Sequence, residues 1–253
     1  MIDSKIYAFD FDGVICDSVL ETAISGWKAA GIIWGDMPKT AAPQNLLDQF
    51  RLVRPIIETG YESILGMRLL YLGESIEAIY SGYQDKTQFL ISQAGTSTDE
   101  LKKLFEQTRD TWIAEDLAAW VAMNPLYPGV VALLNKLSKQ SEWVVVTTKQ
   151  ERFVNYILKA NAIDLEAGRI FGLDRQMLKA EVLKSLLNGF PDKTVYFIED
   201  RLATLLNILK EKELAKVKLM FALWGYSTES DRIDVGQKAI TALTFDEFLG
   251  LSA

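Results

Sequence analysis

Asp10 and Asp12 stand one residue apart, directly after the apolar run Ile6-Tyr7-Ala8-Phe9 and directly before Gly13. The run reads as a buried strand, and an interior strand that ends in charge marks a site. Residues two apart on a strand point the same way. Because the strand must break at Gly13, both carboxylates are expected at its frayed end, near one pocket. Two anions that close repel unless a cation intervenes. Magnesium suits the pair, since this hard ion takes carboxylate oxygens and keeps several of its waters. With the metal in place, one aspartate can attack an electrophilic phosphorus as a carboxylate nucleophile, forming an aspartyl-phosphate, while the other handles protons.

Composition removes most competing chemistries. The 253 residues contain no histidine and one cysteine, Cys16. Ser-His-Asp and Cys-His catalysis, most zinc chemistry and intramolecular disulfides are thereby excluded. Carboxylate, lysine and hydroxyl groups must carry any reaction. The net charge of −7 argues against nucleic acid or an anionic membrane as the main partner. With no basic-then-apolar leader pattern and no apolar run of about 18 residues, a cytoplasmic protein is expected.

The elements that must position the aspartates follow from periodicity. After Ser18 the pattern is helical as far as Asn124, with Leu46, Phe50, Val53, Ile57, Tyr61 and Ile64 as one amphipathic stripe and Ser97 with Glu100 as a capping box. The segment Met123-Asn124-Pro125-Leu126-Tyr127-Pro128-Gly129 then breaks the helix. Beyond it, apolar strands near 143–146, 169–172, 194–198 and 217–223 alternate with helices, which indicates a parallel sheet covered on both faces. If the first strand joins this sheet, residues 19–124 form an inserted, all-helical cap domain, and residues 1–18 and 125–253 form an α/β core. In such sheets the site lies beyond the carboxyl ends of the strands, where the strand order reverses.

Each strand end is therefore a candidate. One strand ends in Thr147-Thr148-Lys149, where a hydroxyl and exposed amides can hold a phosphate oxygen without adding negative charge. Another ends in Glu199-Asp200-Arg201, again setting acids where strand gives way to loop. A cation is needed to offset so many anions and to stabilise a transferring group.

Asp10-Phe11-Asp12-Gly13-Val14, with Asp17-Ser18 after it, resembles the first motif of the haloacid dehalogenase-like (HAD) hydrolase superfamily, mostly phosphatases and phosphomutases. The resemblance implies a Rossmann-like core with a parallel sheet and a helical cap. It implies catalytic roles for Asp10, Asp12, Thr147 and Lys179, and phosphate contacts from Gly13, Thr147, Thr148 and Lys179. Lys184 competes with Lys179 for the family's lysine, because Ala180 stands where many relatives have proline. Magnesium would be held by Asp10, Asp12, Asp200 and Glu199, the order of the last two being open. The family's commonest pattern has an acid where this chain has Thr204.

The implied activity is a magnesium-dependent phosphatase that hydrolyses a small-molecule phosphate monoester. A phosphomutase, a phosphonatase using an imine-forming lysine such as Lys28, Lys39 or Lys86, and an inactive HAD-fold binding module are the alternatives. The second aspartate sets the chain apart from the dehalogenase branch. A monomer or homodimer is expected, with the cap choosing the substrate. Arg54, on a helix face shared with Glu58 and Glu62, either binds a second group of the substrate or pairs with Glu58 on the surface. Trp224-Gly225-Tyr226 reads as core and Cys16 as a small apolar filler.

Overall fold

Strand β1, Lys5–Phe9, is buried from Ile6 onward and feeds straight into Asp10. A computed structural model describes residues 4–251 of the chain. The chain divides into two compact units, Ser18–Asn124 and Met1–Asp17 with Pro125–Ala253.

The inserted unit is helical throughout its regular structure: α1 (Val19–Ile33), α2 (Gln44–Val53), α3 (Glu62–Tyr71), α4 (Ile76–Ala94) and α5 (Thr98–Ala122). Helix α1 is its centre. Gly26 lets α1 approach α3 closely, since a Cβ there would meet the Ser63 carbonyl oxygen at 2.6 Å. Trp27, Phe50, Met67 and Trp120 are buried in this unit, each contributing on the order of 1.5–3 kcal/mol through the apolar surface it removes from water. A charged network lies among them: Glu21, with no exposed surface, accepts from Arg109 Nε at 2.8 Å and Nη2 at 2.6 Å, from Trp120 Nε1 and from Ser25 Oγ. The Ser97–Glu100 capping box opens α5 as expected.

The expected stripe from Leu46 to Ile64 is not one helix. Helix α2 stops at Val53, Arg54–Ile56 is a single 3-10 turn, and α3 begins only at Glu62. Pro55 has no N–H to continue the ladder. Arg54, Glu58 and Glu62 therefore do not share a helical face. Glu62 instead accepts from the Glu58 and Thr59 amides at the start of α3.

The second unit continues with α6 (Val130–Gln140), β2 (Glu142–Val146), α7 (Glu151–Ala160), β3 (Ile170–Phe171), α8 (Lys179–Gly189), β4 (Thr194–Glu199), α9 (Leu202–Leu209), β5 (Lys218–Ala222), α10 (Glu229–Val235), β6 (Thr241–Leu243) and α11 (Phe245–Leu249). Its described strands form one sheet in the order β3-β2-β1-β4-β5-β6, and every pairing is parallel. Successive residues of β1 serve opposite faces. Ile6 and Ala8 pack with Val182, Leu183 and Leu205 from α8 and α9. Phe9 meets Phe248 of α11 edge-on at 5.7 Å. Both faces are covered, which is why the central strands are apolar without alternation. Among the described residues, no helix is long and apolar enough to cross a membrane.

Candidate active site

The order of the sheet reverses at β1, whose chain neighbours β2 and β3 lie to one side and β4, β5 and β6 to the other. A cleft at the carboxyl ends is expected at such a point. Asp10 extends the β1–β4 pairing by one hydrogen bond, its N–H donating to the Ile198 carbonyl at 2.9 Å. Its carboxylate thus emerges beside Glu199, the last residue of β4, and Asp200. One oxygen from each of Asp10, Glu199 and Asp200 lies within 4.8 Å of the others, and all three residues are buried.

Three buried carboxylates need compensation, and Lys179 supplies part of it. This first residue of α8 donates its Nζ to Asp10 Oδ1 at 2.8 Å and to Glu199 Oε2 at 2.7 Å. Burial alone would lower the lysine's pKa, but the two carboxylates more than reverse that and hold it well above its ordinary value. Asp10 moves the opposite way for an acid. Burial first, and then the charge of Glu199, push it up to about 7 against the pull of Lys179. Lys184 points elsewhere, bound to Glu211 and Glu213.

Asp12 is held separately. Its Oδ1 accepts from Lys149 Nζ at 2.8 Å, and the lysine side chain is only 2% exposed. The Asp12 carboxylate is not one of the three that cluster. Between the two aspartates and Asp200 the backbone is packed tightly. Gly13 has φ +89°, and a Cβ on it would sit 2.0 Å from Asp200 Oδ2. Only glycine fits that left-handed position against a carboxylate. On the β2 side, Thr147 is buried and its Oγ1 accepts from the Lys149 amide at 3.1 Å, while Thr148 is exposed.

The donor set fits a hard divalent cation. Asp10, Glu199 and Asp200 offer only oxygen, and one lysine leaves their combined charge negative.

The family model for haloacid dehalogenase-like hydrolases matches residues 4–207. The chain belongs to the haloacid dehalogenase-like hydrolases. No curated protein matches the chain. Among solved structures, a predicted phosphoglycolate phosphatase from Haemophilus somnus is 20% identical, with a TM-score of 0.60 over 99% of this chain and 98% of that one. A predicted phosphatase from Clostridium acetobutylicum is 16% identical, with a TM-score of 0.60 over 98% and 97%. A haloacid dehalogenase-like protein from Streptococcus pneumoniae is 17% identical, with a TM-score of 0.58 over 99% of each chain. At these identities the likeness is one of fold.

The structure of this hydrolase gives the Trp224-Gly225-Tyr226 triplet, read from the sequence as core, contacts with the carboxylate cluster as well. The Tyr226 amide donates to Asp200 Oδ2 at 2.6 Å, and the Tyr226 hydroxyl donates to Asp17 Oδ1 at 2.8 Å. Gly225 makes this possible, because a Cβ there would lie 2.3 Å from the Asp200 Cβ and 2.6 Å from the Gly13 oxygen. Trp224 stacks on Phe248 at 4.7 Å, as a core aromatic should. The triplet is thus both core and support for the site. A glycine between two aromatics just after a strand was the available signal. Lys149 was visible only as the third residue of a strand-end triplet. Cys16 is buried, in keeping with a filler. Arg54 lies in the helical unit, where its Nη1 donates to the Ile57 carbonyl at 2.8 Å.

Proposed function

We propose that this hydrolase is a magnesium-dependent phosphatase that cleaves a small-molecule phosphate monoester through an aspartyl-phosphate. The observation that carries the reading is that the two aspartates have different partners. Asp10 sits with Lys179, Glu199 and Asp200, whereas Asp12 pairs with Lys149. One carboxylate has surroundings suited to attack, and the other is placed to move protons.

In this reading Asp10 attacks phosphorus, a bond forms from its carboxylate oxygen, and the ester P–O bond breaks. The leaving alkoxide takes a proton from the Asp12 carboxyl. Water then attacks the aspartyl-phosphate, gives its proton back to Asp12, and displaces Asp10 with release of inorganic phosphate. Thr147 and the amides near Gly13 and Thr148 hold the non-bridging oxygens, and Lys179 offsets their charge. Asp10, Glu199 and Asp200 would hold magnesium, which when bound supplies positive charge toward the transferring phosphoryl group.

The test is hydrolysis of an aryl phosphate with and without magnesium by wild type and Asp10→Asn. The expected outcome is metal-dependent turnover that falls by about 10³-fold or more in the variant while its thermal unfolding stays cooperative. Equal rates in the two proteins would remove Asp10 from the nucleophile role. Transfer of phosphate to a second sugar hydroxyl in preference to water would make the protein a mutase.

A further inference from the structure

At the amino ends of β4 and β5 the second unit has a groove of about 1020 Å³. Lys184, Lys193, Lys212, Lys216 and Lys218 line it, against only Asp192 and Glu213. This is a concentration of positive charge in a chain whose net charge is −7. Two of the lysines have partners: Lys184 holds Glu213 at 2.7 Å and Glu211 at 3.2 Å, and Lys193 lies 3.9 Å from Glu142. Lys212, Lys216 and Lys218 make no ion pair with any described residue. Glu211, Glu213 and Glu142 engage Lys184 and Lys193, so Lys212, Lys216 and Lys218 are left with Asp192 as the remaining lining carboxylate, and a bound anion would gain from all three ammonium groups.

We propose that this groove binds a small polyanion of the diphosphate or triphosphate class. Its size falls at the upper end of the roughly 300–1,000 Å³ typical of small-molecule sites, and its concavity suits a compact ligand better than a membrane or a duplex. The cations are all lysines, point charges on flexible stems, with no arginine fork to select a single carboxylate. Several separately placed ammonium groups match a ligand whose charge is spread over linked phosphoryl groups. Asn188 and Thr194 add neutral hydrogen-bonding groups, and Leu187 and Pro191 add apolar surface. The site is distinct from the carboxylate cluster. Thr194 and Glu199 are opposite ends of β4, and a strand of that length sets them about 17 Å apart.

The experiment is titration calorimetry of the full chain in EDTA at low salt, with inorganic tripolyphosphate and, separately, with ATP. One equivalent is expected to bind with Kd of about 10–500 µM, weakening steeply as salt rises. The Lys212→Gln/Lys216→Gln/Lys218→Gln variant should bind at least tenfold more weakly, with unchanged melting temperature and aryl phosphate hydrolysis. Thr147→Ala, on the catalytic side, should bind as wild type does. Equal affinities for the two probes mean that the phosphate chain alone is read, and tighter ATP binding means that the apolar surface takes the base. The proposal is overturned if wild type binds neither probe, if the triple variant binds as wild type does, or if double-stranded DNA competes more strongly than tripolyphosphate.

Discussion

A methyl group on Gly225 would collide with Asp200, the carboxylate that the neighbouring Tyr226 amide fixes. Gly225→Ala is expected to destabilise the protein by about 1–3 kcal/mol, the cost of overpacking a site that cannot yield, and to weaken magnesium activation of hydrolysis. Denaturant unfolding and a magnesium titration of the rate check both. Asp10 offers a test that needs no substrate. Its pKa of about 7 in the folded chain lies above the ordinary value near 3.9. Between roughly pH 4 and 7 the folded state therefore holds a proton that the unfolded state lacks, so the stability contributed by this group falls as pH rises through that window. In EDTA, wild type should lose stability relative to Asp10→Asn as pH rises from about 4 to about 7 and level off above that, as read by urea midpoints. A pH-independent difference would contradict the assigned environment. The strand-end residues Asp10, Thr147, Glu199 and Asp200 were legible in the sequence because each marks where an apolar run meets polar side chains. The contact of Tyr226 with Asp200 was not, since it is made by the backbone N–H, a group every residue but proline carries.

At the scale of elements, the strands named from apolar runs are all present to within a residue or two. β6 was missed because Thr241–Leu243 is a three-residue edge strand with only its last residue buried, so it has no run to detect. The helical unit shows the opposite difficulty. Its apolar period continues through residues 46–64, yet Pro55 and the extended Ile57 interrupt the backbone. Periodicity reports which side chains are buried, and only the proline reports that the helix has stopped. The charged network beneath α1 was invisible, because Glu21 and Arg109 are far apart in sequence. Arg109→Ala removes the guanidinium that pairs with the buried Glu21, and should cost about 3–5 kcal/mol in thermal or denaturant unfolding. Glu21→Gln with Arg109→Met should recover part of that loss.

For the molecule as a whole, the arrangement that makes the site also separates its parts along the chain. The strand at the centre of the sheet precedes the other described strands in the chain, yet Ile6 pairs with Glu142 on one side and with Val195 on the other. The helical unit, by contrast, finds its contacts within Ser18–Asn124. On the ribosome, where about 5–20 residues are added each second, β1 therefore waits several seconds for β2 and longer for β4. During that interval an apolar strand is present with both edges open, the condition under which nascent chains associate wrongly or recruit chaperones. Nascent chains arrested with residue 124 outside the exit tunnel should yield a protease-resistant helical fragment while residues 5–9 remain cleavable, and protection of β1 should appear only once residue 199 has emerged. Asp10 would thus be made long before Glu199 and Asp200, and would reach its place beside them only after both have emerged.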